Sequence, residues 1–312
     1  MKVLLAGFNV EAETLEKAQE HLDDELTPEV ISAAYARISR DPRNVNTLRR
    51  EARRQVEKAR RSNESIVFGL GHSSVAEHAV FNFDVMDISR LAVEAIQSFR
   101  LASFTEKSQR YIRLGKDHVF PEEIEKSPWA EEFAEIVDIL SEAYEEVYSR
   151  IVDSGEDKGV AKEDARYLMP LATSAQFGMT INAREAEYMI SRLASHRLAE
   201  LRAFSGKLAA IAAKRAPSLV KYPHPTPYFM TVGDKRAGIG EDANRVAVKV
   251  PVSDGSLVSL VSSTEDGDRR LAAALIFSST SCSFEEAERK AARMKESRIR
   301  ELICSTFGEM RA

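Results

Sequence analysis

The chain has 312 residues, of which 44% are hydrophobic and 30% charged. It therefore exceeds one average core of about 100 to 200 residues, and its composition excludes a disordered polymer. A formal net charge of -5 excludes a protein whose main business is to wrap nucleic acid, which needs a basic footprint. No apolar run reaches the roughly 18 residues of a membrane span, and the opening "MKVLLAGFNVEAETL" lacks a small-residue cleavage pattern. The expectation is a cytoplasmic protein with no nucleic-acid and no membrane partner.

In chain order, "KVLLAG" reads as an edge or opening strand. Thr27 followed by Pro28 is a helix start, a hydroxyl cap with proline in the first turn, and predicts a helix over 28–39. A second helix over 46–62 carries Leu48, Ala52, Val56 and Ala59 at helical spacing, with its other faces charged. Its basic residues read as a solvated face. "AVFNFDVMD" then alternates apolar and polar residues, the period of a half-buried strand, and "ISRLAVEAIQSF" returns to helical spacing. The polar stretch "SFRLASFTEKSQRY", Ser98 to Tyr111, follows that helix, where ligand-contacting residues often lie.

Residues 128–152 predict a long amphipathic helix, 162–168 a short one stopped by Pro170, and Ala183–Ala216 a single long helix ended by Pro217. "KYPHPTPYF" reads as an extended connector without regular structure. "RVAVKVPV" and "SLVSLVSS" read as strands. The tail can be laid on the beginning of the chain with Ala33 over Ala272 and Phe68 over Phe307, both copies reading as two charged helices that end in Phe-Gly. This divides the chain into a main domain over 1–217, a proline-rich connector over 218–240, and an extension or partial second repeat over 241–312.

Three polar clusters carry the chemistry. "GHSSVAEH" holds His72 and His78 with Glu77 between them, a spacing that fits no zinc motif, so no metal is expected. Arg100, Ser103, Glu106, Ser108 and Arg110 form the second, and Arg166, Gln176, Asn182, Arg184, Arg192 and His196 the third. A phosphomonoester asks for planar, bidentate donors, which arginine supplies, and arginines from separate segments can converge on one phosphate.

In this order the segments "HSSVAEH", "SFRLASFTEKSQRY", "ARYLMPLATSAQFGMTINAR" and "SRLASHRLAELR" resemble the flavin-dependent thymidylate synthase family. The resemblance runs from Lys2 to Ala216. It implies an α+β fold of long helices and an antiparallel sheet, joined here by a smaller C-terminal α/β extension. It implies a methyltransferase that makes dTMP from dUMP with methylenetetrahydrofolate, FAD and NADPH, working as a homotetramer or pseudo-tetramer with sites between subunits.

By position, the resemblance gives Glu106, Ser108, Gln109, Arg110, Arg166 and Arg192 to dUMP, with Ser108 and Arg192 as the catalytic pair. It gives His72, Ser74, Glu77, Arg100, Asn182, Arg184 and His196 to FAD. Where the family has Arg-His-Arg, this chain has Ser98-Phe99-Arg100, so two cationic positions are absent. The only cysteines are Cys282 and Cys304, far from these motifs. The thiolate attack of the classical synthase thus has no candidate nucleophile there.

Bland readings stand beside these. Glu106 and Arg110 have the i,i+4 spacing of a helix-surface ion pair. Asn182 is a good N-cap for the following helix, and His78 a structural hydrogen-bonded histidine. A non-catalytic nucleotide-binding or scaffolding repeat, degenerate at Ser98 and Phe99, is the rival to an active enzyme.

Overall fold

The computed structural model describes residues 1–10, 27–38, 41–222, 224–232, 235, 239, 258 and 260–307. They fall into two compact units, Met1–Arg245 and Val246–Ala312.

The first unit is built on a four-stranded antiparallel sheet, in the order β1-β2-β4-β3. Its strands are β1 (Lys2–Phe8), β2 (Val80–Ser89), β3 (Ala102–Glu106) and β4 (Ser174–Asn182). Alternation decides the faces. Phe81, Phe83 and Val85 of β2 and Ala175, Phe177, Met179 and Ile181 of β4 are buried on one side. On the other side Leu4, Asp84, Gly178 and Thr105 form one cross-strand row in register. The register shifts between Val85 and Ile88, and there Asp87 has a φ of 55°, a left-handed bulge that bends the strand.

Two helices close the inner face: α7 (Ala183–Ala194), which leaves β4 directly, and α8 (Ala199–Arg215). Met189, Ile190 and Leu193 of α7 meet Leu201, Phe204 and Leu208 of α8 over the strand phenylalanines. The helices of eight residues or more before them in sequence are α1 (Glu29–Ile38), α2 (Val45–Arg54), α3 (Val56–Glu64), α4 (Arg90–Gln97), α5 (Ala130–Asp153) and α6 (Lys158–Ala165). The Tyr144 hydroxyl of α5 accepts the Leu114 N–H at 3.0 Å, within a small core of Leu114, Tyr144 and Ala165.

Several sequence expectations are corrected. The helix expected over 46–62 is two helices, parted at Gln55, whose φ and ψ are -137° and 61°. The break lets Ala52 and Ala59 both pack on Val30 and Ala33 of α1. The helix expected over Ala183–Ala216 is also two. The His196 ring takes the Leu198 N–H at 3.1 Å, and Arg202 donates to the carbonyls of His196 and Arg197, so the backbone groups that would continue the helix are taken by side chains. Finally, the stretch after α4 contains β3, and β4 stands where the sequence suggests only polar ligand residues and a helix start.

α1 is fastened by a buried clasp. Glu29, fully buried, takes the Arg60 guanidinium at 2.6 Å and the Ser218 N–H and hydroxyl at 2.9 and 2.6 Å. Asn63 donates to the Glu29 carbonyl at 3.1 Å. Thr27 behaves as the expected cap, its hydroxyl accepting the Glu29 N–H at 3.3 Å. The connector residues beyond Ser218 lie on α7: the Lys221 and Tyr222 N–H groups donate to Glu187, and Ser191 donates to the Tyr222 carbonyl. Residues 227–232 are helical, against the extended connector that the proline spacing suggests.

The described residues of the second unit form α9 (Gly267–Ser279), α10 (Phe284–Arg293) and α11 (Glu296–Phe307) around Ala272, Ala273, Ala287, Ala291 and Ile299. The displacement of 239 positions that carries Ala33 onto Ala272 also carries α2 onto α10 end for end, and α1 and α3 onto α9 and α11 within a few residues. The strand expected at "RVAVKVPV" lies outside the described residues. Val258 and Leu260–Ser263, from "SLVSLVSS", are in no strand.

Candidate functional site

Glu106 ends β3 and is the most constrained of the expected nucleotide residues. Its side chain is 19% exposed, its Oε2 accepts from Gln97 Nε2 at 3.2 Å, and its Oε1 lies 3.9 Å from Arg90 Nε. Arg90 and Gln97 are the first and last residues of α4, seven apart and so on one face. Arg110 is not its partner. Because Glu106 closes a strand, the helical i,i+4 pairing does not arise, and Arg110 instead lies over the Tyr111 ring at 5.6 Å. Cavities of about 480 and 270 Å³ both border Glu106, one over Asp84, Thr105 and Gly178, the other beside Gln109, Arg113 and Asp117.

Beyond the strand, the Ser108 oxygen accepts the Arg110 N–H at 3.2 Å, a local turn that leaves the hydroxyl proton to be donated elsewhere. Gln109 is half-buried and Arg110 exposed. Arg166 follows α6, held by its own neighbourhood: Nε donates to the Glu163 carbonyl at 3.2 Å and the guanidinium lies over the Tyr167 ring. Among the described residues no hydrogen bond or ion pair joins Arg166 to Glu106, Ser108 or Arg192.

Arg192, exposed on α7, lies over the Phe99 ring at 5.1 Å, and Phe99 meets Tyr188 edge-on at 5.6 Å. Phe99 is only 3% exposed, so the position where the family carries a histidine is part of the core here. Ser98 is engaged locally as well, its hydroxyl donating to the Ala95 carbonyl at 2.7 Å. Arg100 is exposed in the turn that follows.

Of the residues assigned to flavin by resemblance, His72, Ser74, Glu77, Asn182 and Arg184 lie about the start of α7, whereas His196 lies past its end. His72 precedes a short turn of helix, Ser73–His78, with Ser74 and Glu77 on its exposed side. Glu77 binds Arg184 at 2.5 Å across to α7. Asn182 is the N-cap, its side chain accepting the Glu185 N–H at 2.9 Å. His78 packs edge-on against Tyr35 at 4.6 Å, the structural role. His196 is half-buried, and burial first, then Arg197, Arg192 and Arg202, holds its imidazole below the usual 6.5. It is therefore neutral at pH 7. With Nδ1 accepting from Leu198 N–H, the ring proton sits on Nε2, a donor.

Sequence reasoning missed Arg90 and Gln97. Their only local signal is the seven-residue spacing on α4; their tie to Glu106 is tertiary. Among the described residues no cluster of His, Cys, Asp or Glu could hold a metal ion, and no helix is long and apolar enough to cross a membrane.

Comparison with known proteins agrees with these motifs. Residues 21–218 match the family model described as thymidylate synthase complementing protein. A flavin-dependent thymidylate synthase of Pyrococcus furiosus is 31% identical over 160 residues, 48% of this chain and 61% of that protein. One from Geobacter sulfurreducens is 32% identical over 157 residues, 50% of this chain and 66% of the relative. One from Clostridium tetani is 27% identical over 210 residues, 64% and 83% of the two chains. The chain thus spans about three-fifths of the length of the Pyrococcus relative. The crystal structure of a UMP/dUMP methylase, PolB from Streptomyces cacaoi, bound with 5-Br dUMP, shares the fold at a TM-score of 0.52 and 20% identity, over 71% of this chain and 93% of that one. With the family model covering most of the first unit and the α+β fold of strands and long helices beneath it, the chain belongs to the thymidylate synthase complementing protein family.

Proposed function

We propose that the protein is a flavin-dependent thymidylate synthase that methylates dUMP to dTMP, taking a methylene group from methylenetetrahydrofolate and reducing equivalents from NADPH. The observation that carries this reading is the half-buried Glu106 between two cavities, followed at once by Ser108 and Arg110. The relatives named flavin-dependent thymidylate synthases support it, as does the fold neighbour, a methylase bound with the dUMP analogue 5-Br dUMP.

The donor set suits a flavin dinucleotide. Arg184 offers a guanidinium to a diphosphate, and Ser74, His72 and His196 offer donors to ring carbonyls. A flavin held there would supply the hydride. The chain's own part is binding and orientation: Glu106 and Ser108 order the nucleotide, Arg110 and Arg166 meet phosphate, and Arg192, seated on Phe99, polarises the pyrimidine. The assembly that goes with this reading is a cytoplasmic homotetramer with sites between subunits, as the resemblance implies. The coincidence of helix boundaries supports 241–312 as a partial repeat of the first domain's opening, after a connector over 218–240.

A second reading, a non-catalytic repeat of the same fold, is favoured by one observation: Ser98 and Phe99 are committed to the helix end and the core. Purified protein separates the two. The enzyme is yellow, and its reduced flavin is oxidised in a dUMP-dependent way; a colourless protein that binds no dUMP is the repeat. Arg166→Ala is expected to weaken dUMP binding about tenfold or more, whereas Arg289→Ala, in the second unit, leaves it unchanged. Equal effects would undo the site.

A further inference from the structure

We propose that Arg90 is a positioning residue of the nucleotide site: with Gln97 it holds the Glu106 carboxylate, and it supplies beside that carboxylate the positive charge that positions 98 and 99 lack. The inference rests on the nucleotide-binding reading above.

Three observations carry it. The first is closure of the alternatives. Phe99 is buried beneath Arg192, and the Ser98 hydroxyl is bonded to the Ala95 carbonyl, so neither position can turn a donor toward Glu106. The second is placement. α4 presents Arg90 and Gln97 from its two ends to the end of β3, one to each carboxylate oxygen, at 3.9 and 3.2 Å. The Gln97 hydrogen bond orients the half-buried carboxylate, which a bound sugar or base can then read.

The third observation is incompleteness. The buried side-chain polar atoms without a hydrogen-bond partner, among the described residues, are Ser32 Oγ, Asn63 Oδ1, Arg90 Nη1 and Glu106 Oε1. Two of these four belong to this pair. Buried atoms of this kind carry a penalty and are uncommon outside functional places. The cause is visible: Arg90 Nη2 is drawn toward Glu94 at 2.8 Å, at 26% exposure for Arg90 and 74% for Glu94. The guanidinium is shared between two carboxylates and cannot present its fork to Glu106. A small rotation away from the exposed Glu94 would complete the bond to Glu106, and a bound anion near Arg90 would favour that rotation.

The test titrates dUMP into the flavin-loaded full chain. Arg90→Gln is expected to weaken dUMP affinity about tenfold, raising KM with kcat changed less than about twofold, and Arg90→Lys to recover part of the loss. In a double-mutant cycle, Arg90→Gln with Glu106→Gln is expected to be no worse than the worse single variant. Glu94→Gln, an exposed change with no burden on folding, is expected to tighten dUMP about twofold or more by releasing Arg90. If Arg90→Gln is unfolded in a thermal melt, Glu94→Gln decides alone. Wild-type binding with Arg90→Gln within twofold of it, additivity in the cycle, or an unchanged Glu94→Gln overturns the inference and leaves the function standing. Failure of the wild type to bind dUMP overturns both.

Discussion

The opening helices α1–α3 and the closing helices α9–α11 carry the same plan with different fastenings. Equivalent positions hold the caps, Asn44 and Ser283, each accepting the N–H three residues on. They hold the break, at Gln55 and Met294, and the buried alanines, Ala33 and Ala272, Ala52 and Ala291. The polar residues diverge. The clasp residues Glu29, Arg60 and Asn63 fall on Asp268, Ile299 and Leu302, of which Asp268 is exposed, Ile299 is buried and Leu302 packs on the same small core. Helix ends and alanine spacing are enough to repeat a local plan. In the first unit three polar side chains fasten the segment at its buried end, and at the equivalent positions of the second unit one is exposed and two are apolar.

The largest test removes the clasp. Glu29→Ala deletes the buried carboxylate on which the Arg60 guanidinium and the Ser218 N–H converge, and should cost about 3 to 5 kcal/mol in urea unfolding of the first unit. Asp268→Ala, at the equivalent exposed position, should stay within about 0.5 kcal/mol. Equal losses would erase the distinction between the two segments. Next, Ile299→Ala removes the largest buried side chain of the second core and should cost about 2 to 4 kcal/mol, read as lost hydrogen-exchange protection over 267–307 with that of 29–64 unchanged. The smallest effect sharpens the likeness rather than the difference. Asn44→Ala and Ser283→Ala should each cost about 1 kcal/mol, and a cap that matters in only one segment would argue that the two do not share a plan.

Much of the scaffold was legible because it is written in local periods. The alternation in β2, the hydroxyl-proline start of α1, the length of α5 and the Asn182 cap all follow from neighbours in sequence. β4 carries an equally clear alternation, Ala175, Phe177, Met179 and Ile181 against Gln176, Gly178 and Thr180, but Gln176 and Asn182 read as ligand residues and hid the strand. β3 has five residues, too few for a period to declare itself. The overlong helices failed for a different reason: at Gln55 and at His196 tertiary packing and side-chain capture interrupt sequences whose propensity is helical throughout. In the site, residue types and order were legible, while the environment of each was not. Phe99 as core, Glu106 as a bracketed strand end and Arg90 as its neighbour are long-range facts.

The strand order has a consequence for how the molecule is made. β4 lies between β2 and β3, yet it is the last of the four to leave the ribosome, and Ser218, which completes the clasp on Glu29, comes later still. Until residues 174–182 emerge, β2 has a partner on one edge only and β3 has none. High contact order of this kind slows folding and leaves strand edges open to other chains. Nascent or truncated forms that end before Ser174 should therefore be captured by chaperones or aggregate, and forms that extend through Ser218 should be released as folded protein.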